Sequence, residues 1–474
     1  MMPTMKTIAC LILFTAFASG QGRPLNVVFF LADDLGWKDL GCFGSSFYET
    51  PHLDALCARG KRFTQAYAAC PVCSPTRASI MAGKYPARMD TTDFFGGRRR
   101  GRLLPASYHQ RLALDEVTMA EAFRGAGYAT AFLGKWHLGP EGHWPEQQGF
   151  DLNAGGWRAG HPYAGYFAPW KKPRLKDSPK GTYLTDRLTD DACAWIGKVK
   201  DRPFFMYFAY YQVHTPLQGK KELIARHRER KEKLPAAAGP KWRPEGRRKC
   251  RQVQDYAVYA AMVQSMDDSV GRVVERVRDL GLLDRTAFVF MSDNGGLSTS
   301  EGHPTSNVPL RAGKGWLYEG GIREPMFIVW PGGTKVGSVC DTPVTSTDFY
   351  PTLLEMCGLP SRPDQHTDGT SLVPLLRGGD RLAPRDLYWH YPHYGNQGGA
   401  PSGAIRSGDH KLIEWFEDGR VELYDLGADL SEQRNLAAAL PERARELRTR
   451  LADWRRSVDA KMPRPNPDWK GRRK

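Results

Sequence analysis

Four short polar clusters in this 474-residue sequence carry side chains that could do chemistry, and each closely follows an apolar, β-rich run. Asp33-Asp34 comes after Asn26 to Ala32 (NVVFFLA), and Asp293-Asn294-Gly295-Gly296 comes after Ala287 to Met291. Adjacent carboxylates repel one another unless a cation lies between them. Asp and Asn oxygens suit a hard cation, and paired glycines let the backbone approach a ligand. Together the two clusters offer four oxygen-bearing side chains and neither sulfur nor imidazole, which favours calcium or magnesium over zinc. Taken alone, each cluster reads more readily as a turn than as a metal site. Gly134-Lys135-Trp136-His137 follows Tyr128 to Leu133. A Lys and a His two apart near a strand end point roughly the same way. His214-Thr215-Pro216 follows Pro203 to Tyr210; a lone histidine there is more commonly structural than catalytic. Lys314, flanked by Gly313 and Gly315, allows a tight loop around an anion, with a solvated loop lysine as the alternative.

The elements that must position these clusters alternate. The four runs and Met326 to Trp330 read as strands buried on both faces. Between them, Thr118-Met119-Ala120-Glu121 has the form of a capping box that opens a helix ending near Gly125 or Gly127. Gln252 to Leu280 shows helical apolar spacing, and Phe349 to Cys357 is a short helix closed by Gly358. Strands alternating with helices predict an α/β sandwich around a large, mainly parallel sheet. In such sheets ligands bind beyond the carboxyl ends of the strands, where all four clusters fall. After about Gly378 the texture changes to short antiparallel strands (Ala404 to Arg406, Lys411 to Phe416, Val421 to Asp425). Asp418-Gly419 is a hairpin signal, and a charged helix spans roughly Pro441 to Val458. The division predicted is residues 22–377 for a catalytic domain and 378–474 for a small C-terminal α+β subdomain. Gly96 to Arg102 and Gly219 to Arg251 read as insertions, and Pro463 to Lys474 as a frayed basic end.

The decisive segment is Cys73-Ser74-Pro75-Thr76-Arg77-Ala78-Ser79-Ile80-Met81-Ala82-Gly83-Lys84. Cys70 and Cys73 also form a C-x-x-C, a spacing open to redox or metal chemistry. The longer segment resembles the signature of the type I sulfatases: Cys-x-Pro-x-Arg, then Ala-Ser and a later Gly. The other clusters fall in that family's order: Asp33-Asp34, Cys73 and Arg77, Lys135 and His137, His214, Asp293-Asn294, Lys314. Supporting stretches are Gln148-Gly149-Phe150-Asp151, Glu319-Gly320-Gly321-Ile322-Arg323, and Leu423-Tyr424-Asp425-Leu426 with Asn435-Leu436. The resemblance covers about residues 24 to 440.

The resemblance implies an alkaline-phosphatase-like fold and hydrolysis of sulfate monoesters. It implies that a formylglycine-generating enzyme oxidises Cys73 to formylglycine, whose hydrated aldehyde is the nucleophile. Asp33, Asp34, Asp293 and Asn294 would bind one calcium ion, with residue 73 facing it. Asp293 would accept the attacking proton, Arg77 and Lys135 would hold the diol, and His137 would take the second hydroxyl proton. Lys314 and His214 would grip the sulfate, one of them protonating the leaving oxygen. Two rivals stay open: a phosphonate or phosphate ester hydrolase of the same superfamily, and a catalytically silent secreted glycan-binding protein.

Composition bounds the partners. The formal charge is +15, or +14 without Lys6, which suggests an anionic partner. Residues 1–20 read as a secretory signal: Lys6, the apolar run Ile8 to Phe17, and Ala18-Ser19-Gly20 before Gln21. That run is too short to span a bilayer, so the expectation is export to the periplasm or outside the cell, without a membrane span. A nucleic-acid binder would explain the charge but neither the export signal nor the oxygen cluster. A sulfated small molecule or glycan suits both. Arg98-Arg99-Arg100 reads as a polyanion contact or an exposed solubilising loop. His390 and His393, in Trp389-His390-Tyr391-Pro392-His393-Tyr394, read as pocket wall or domain interface.

Overall fold

The strand Asn26–Ala32 is buried along its whole length and divides its side chains between two cores. Val28, Phe30 and Ala32 enter one core, and Val27, Phe29 and Leu31 enter the other. This is the twofold alternation of a strand covered on both faces. In the computed structural model, which describes residues 24–471 except 238 and 380, this strand lies in the middle of a nine-stranded sheet. The expected signal segment, residues 1–20, lies outside the described residues.

Across the sheet the order is Ser338–Cys340, Lys61–Tyr67, Arg323–Val329, Thr286–Ser292, Asn26–Ala32, Phe204–Ala209, Ala129–Gly134, Leu152–Ala154. Val344–Thr345 also pairs with Lys61–Tyr67. Asn26–Ala32 runs parallel to both its neighbours, and only Arg323–Val329 runs antiparallel to its own. The expected α/β sandwich with a mainly parallel sheet is therefore the observed fold. Helices Leu184–Val199 and Ala257–Asp279 pack on one face. Helices Cys73–Ala82, Met119–Gly125 and Phe349–Met356 pack on the other. The Thr118 capping box forms: the Thr118 side chain accepts from the Glu121 backbone, and the Glu121 carboxylate accepts from the Thr118 backbone.

A second sheet, wholly antiparallel, has the order Leu387–Tyr391, Ser402–Ser407, His410–Trp415, Val421–Asp425. Helix Pro441–Ser457 packs against it, burying Ala444, Leu447, Leu451 and Trp454.

Three expectations need correction, and one open choice is decided. The long helix begins at Ala257 and not at Gln252, because the Gln254 side chain is held outside it, donating to the Lys38 carbonyl and to Asp39. Gly219 to Arg251 contains helix Lys221–Glu232 and a hairpin of Trp242–Glu245 with Arg248–Arg251. Arg226 and Arg230 fasten that helix to Glu49. The basic end is tied down in part. Arg464–Pro465 pairs with Leu103–Leu104, and the Asn466 amide donates to the Gly101 carbonyl. Finally, Leu387–Tyr391 is a strand, so His390 is buried with Nε2 on the Lys461 carbonyl, while the His393 Nε2 meets Thr92 Oγ1. Of the two readings for these histidines, the interface is the one the structure adopts.

Candidate active site

Four central strands end at one place, and the loops leaving them converge there. Asp33-Asp34 leaves Asn26–Ala32, Lys135 to His137 leaves Ala129–Gly134, His214 follows Phe204–Ala209, and Asp293-Asn294 follows Thr286–Ser292. Helix Cys73–Ala82 points its first turn at the same spot. Its N-cap, Val72, is extended and supplies no side-chain cap. The first N–H groups of the helix thus lack a capping side chain beside Cys73, a setting that favours negative charge there. Arg77 is one turn further along, on the same side of the helix.

The cluster alternates in sign and is almost sealed. Asp33, Asp34, Lys135, Asp293 and Asn294 are fully buried, and Cys73, Arg77 and Lys314 nearly so. The Lys135 ammonium donates to both Asp33 oxygens at 2.7 and 2.8 Å. The Lys314 ammonium lies 2.7 and 2.9 Å from the two Asp34 oxygens. Arg77 Nε donates to Asp293 Oδ2 at 2.8 Å, and its Nη1 donates to the Lys135 carbonyl at 2.5 Å. Its Nη2 stands 3.8 Å from Asp33 and makes no hydrogen bond. Asn294 Nδ2 donates to Asp34 Oδ1 at 2.8 Å and leaves its buried Oδ1 without a partner. All nine expected residues beyond Cys73 itself (Asp33, Asp34, Arg77, Lys135, His137, His214, Asp293, Asn294 and Lys314) are therefore brought to one centre.

Burial and charge set the protonation pattern. Burial pushes the Asp33 carboxyl well above its ordinary value, against the pull of Lys135. Burial acts on Asp34 too, but Lys314, His214 and Lys135 outweigh it and hold that carboxyl below the usual range. Burial would raise the Cys73 thiol; Lys135 and Lys314 overcome this and bring it down to about 7. His214 lies 3.7 Å from Asp34. Burial and Lys314 depress it, yet Asp34 and Asp33 lift it to about 9. Burial and Lys135 hold His137 well below its ordinary value. Its Nε2 lies 3.2 Å from the Phe95 carbonyl. A carbonyl can only accept, so Nε2 carries the proton and the unpartnered Nδ1 keeps its lone pair.

The donor set fits a hard divalent cation. Ligand atoms of Asp33, Asp34, Cys73 and His214 all lie within 4.8 Å of one another. Asp293 and the unpartnered Asn294 Oδ1 adjoin Asp34, so oxygen predominates. His214 enters this group, whereas the family resemblance implies that it grips the sulfate.

A cavity of about 540 Å³ opens above Cys73, His137, His214 and Lys314. Its wall includes Phe94, Phe95, Arg99, Arg158, His161, Tyr163, Glu301, Asn396 and Gln397. Sequence reading flagged only Arg99 among these. The rest lie on loops away from the strand ends, and no local signal marks them. One hint is Gly160, where a Cβ would fall 2.5 Å from the His137 ring; a glycine there permits the close approach of the wall.

The comparisons agree with this geometry. Residues 25–359 match the family model described as Sulfatase, and residues 312–457 match that of N-sulphoglucosamine sulphohydrolase, C-terminal. The chain is 32% identical to a protein of Formosa agariphila named Sulfatase, over 90% of this chain and 88% of that one. It is 31% identical to human Arylsulfatase A, over 91% and 88%. Among solved structures, Ps i-CgsB superposes with a TM-score of 0.75 at 29% identity, covering 94% of this chain and 95% of that chain. The same protein has been solved in complex with k-i-k-neocarrahexaose.

Proposed function

Because this chain belongs to the sulfatase family and is a sulfuric ester hydrolase, we propose that it cleaves sulfate monoesters of glycans with a formylglycine made from Cys73 and one calcium ion. The observation that carries the reading is Cys73 itself. It begins a helix within Cys-x-Pro-x-Arg, on the floor of a cavity, with Lys135, Lys314 and Arg77 around it. The wider assignment has three parts: an export signal in residues 1–20, catalysis in 22–377, and a C-terminal part, 378–474, that lends Asn396 and Gln397 to the pocket wall.

The net reaction converts the ester and one water into an alcohol, sulfate and a proton. As formylglycine, residue 73 supplies a hydrated aldehyde, one hydroxyl of which attacks sulfur while the other later expels sulfate by re-forming the aldehyde. Asp33, Asp34, Asp293 and Asn294 would hold the calcium ion, which would supply positive charge to the sulfuryl group.

The chain's own residues do the rest. Arg77, fixed by Asp293 and by the Lys135 carbonyl, holds residue 73 with Lys135. Asp293 takes the proton of the attacking hydroxyl, and the free lone pair on His137 Nδ1 takes that of the second. Lys314 grips the sulfate. His214, 3.7 Å from Asp34 at the edge of the cavity, gives its proton to the leaving oxygen. Cations fixed in advance stabilise the charge that develops on the sulfuryl and leaving oxygens.

The test is hydrolysis of an aryl sulfate against the matching aryl phosphate, by the wild-type chain and by Cys73→Ala. The reading predicts sulfate turnover in preference to phosphate, lost in Cys73→Ala while the protein stays folded. Preference for phosphate, or activity surviving Cys73→Ala, overturns it.

A further inference from the structure

The catalytic histidine is clamped between two loops, and each loop carries an arginine onto the pocket. On one side the Phe95 carbonyl accepts from His137 Nε2 at 3.2 Å. The segment around Phe95 is itself anchored. The Phe95 N–H donates to Ser74 Oγ in the Cys73 helix, and the Tyr108 hydroxyl donates to the carbonyls of Phe94 and Gly97. Arg99 stands two residues beyond Gly97. On the other side the His137 N–H donates to the Trp157 carbonyl at 3.1 Å, and Arg158 is the next residue.

Arg99 and Arg158 both line the 540 Å³ cavity and are exposed. Neither has an ion pair or a hydrogen bond with any described residue. The acid that shares the cavity with them, Glu301, accepts from Asn396 Nδ2 at 2.5 Å and Gln397 Nε2 at 2.8 Å. The arginines flanking Arg99 in its basic run, Arg98 and Arg100, do not line the cavity. A single sulfuryl group bound between Cys73 and Lys314 leaves both guanidinium groups unused. Their planar forks match a second sulfate or a carboxylate.

We infer that Arg99 and Arg158 form a second anion subsite, so that the preferred substrate carries another negative group besides the ester that is cut. This rests on the sulfatase reading and narrows it from sulfated glycans in general to those with two anionic groups within one cavity. The second group is a sulfate or a uronate carboxylate on the same or the adjoining sugar.

The experiment is calorimetric titration of the Cys73→Ala protein, which holds ligand without turnover. Three disaccharide probes are used: one monosulfated and otherwise neutral, one disulfated, and one carrying a single sulfate plus a uronate. Tighter binding of a dianionic probe by about tenfold or more is expected. In the Arg99→Ala/Arg158→Ala background that preference should shrink to within about twofold, and Arg→Lys at both positions should restore part of it. A gain for the disulfated probe alone identifies sulfate as the second group, and a gain for the uronate probe alone identifies carboxylate. No preference in the parent, a preference that survives the double substitution, or no binding of any probe overturns the subsite. Aryl sulfate turnover by the wild-type chain is scored separately. A chain that turns over aryl sulfate without the binding preference loses the subsite alone. A chain with the preference and no turnover loses the chemistry alone.

Discussion

Among the described residues, the buried ionic cluster around Glu319 can be set against the one around Cys73, and of these two only the latter lies beneath the 540 Å³ cavity. Around Glu319, the Lys411 ammonium sits 2.9 Å from Glu319 and 3.0 Å from Glu432, with all three side chains fully buried. The Tyr67 hydroxyl and Arg323 complete the ring on Glu319, and the Glu319 N–H donates to Glu432. This cluster joins the large sheet to the antiparallel one, and none of Glu319, Lys411 and Glu432 lines the cavity above Cys73. The cluster around Cys73 is as deeply buried and as closely paired, yet it leaves Arg77 Nη2, His137 Nδ1 and Asn294 Oδ1 unpartnered beneath that cavity. Buried charge alone therefore does not mark the chemistry. On the proposed reading, unused hydrogen-bonding capacity next to an open space does.

The largest effect that would break the comparison is at the open cluster. Cys73→Ala should reduce turnover to background and leave the melting temperature close to wild type; a collapse of folding would place Cys73 with the structural residues. Lys314→Ala should lower kcat by about 10²–10³-fold, as for loss of one fixed donor. Steady-state kinetics on an aryl sulfate checks this, and a change confined to KM would contradict it. The closed cluster should behave oppositely. Lys411→Ala leaves buried Glu432 without its cation and Glu319 with Arg323 alone, and should cost about 3–5 kcal/mol of stability. The folded fraction should keep its kcat, as denaturant titration and an activity assay on the same sample would show.

Another buried lysine sharpens the contrast. Lys172 has no hydrogen-bond partner, stacks 4.4 Å from the Tyr211 ring centroid, and is pulled down by burial to about 7. Between about 7 and 10.5 the unfolded chain binds the proton that the folded chain has released. The Lys172 contribution to stability therefore rises with pH across that window and is least favourable below it. Lys172→Met should remove this rise and stabilise the chain at pH 7 by roughly 1–3 kcal/mol, the aromatic contact offsetting part of the burial cost. Melting curves at pH 6, 7, 8 and 9 test it, and equal slopes in both proteins would count against it.

The sequence made the central strands and the strand-end clusters legible because both follow from local pattern. A continuous apolar run such as Asn26 to Ala32 reads as a strand buried on both faces, and polar residues after it fall at the carboxyl edge. The Cys73 segment carried the rest through its resemblance. The pocket wall was not legible. Arg158, Glu301, Asn396 and Gln397 meet only because separate loops fold over the sheet, and nothing in their neighbours' spacing encodes that. The helix Lys221–Glu232 was missed for a related reason. Its charge reads as a solvated insertion, and what holds it, Glu49 against Arg226 and Arg230, lies far away in sequence. For His390 the sequence left pocket wall and domain interface equally open, and the pairing of its strand with Ser402–Ser407 decides for the interface.

The most direct test of the central claim is mass spectrometry of the tryptic peptide that ends at Arg77, from protein made in its native host. The account predicts that the side chain at position 73 has changed from CH2–SH to an aldehyde, CHO, or its hydrate. Unmodified cysteine throughout, in protein that nonetheless hydrolyses an aryl sulfate, would contradict it.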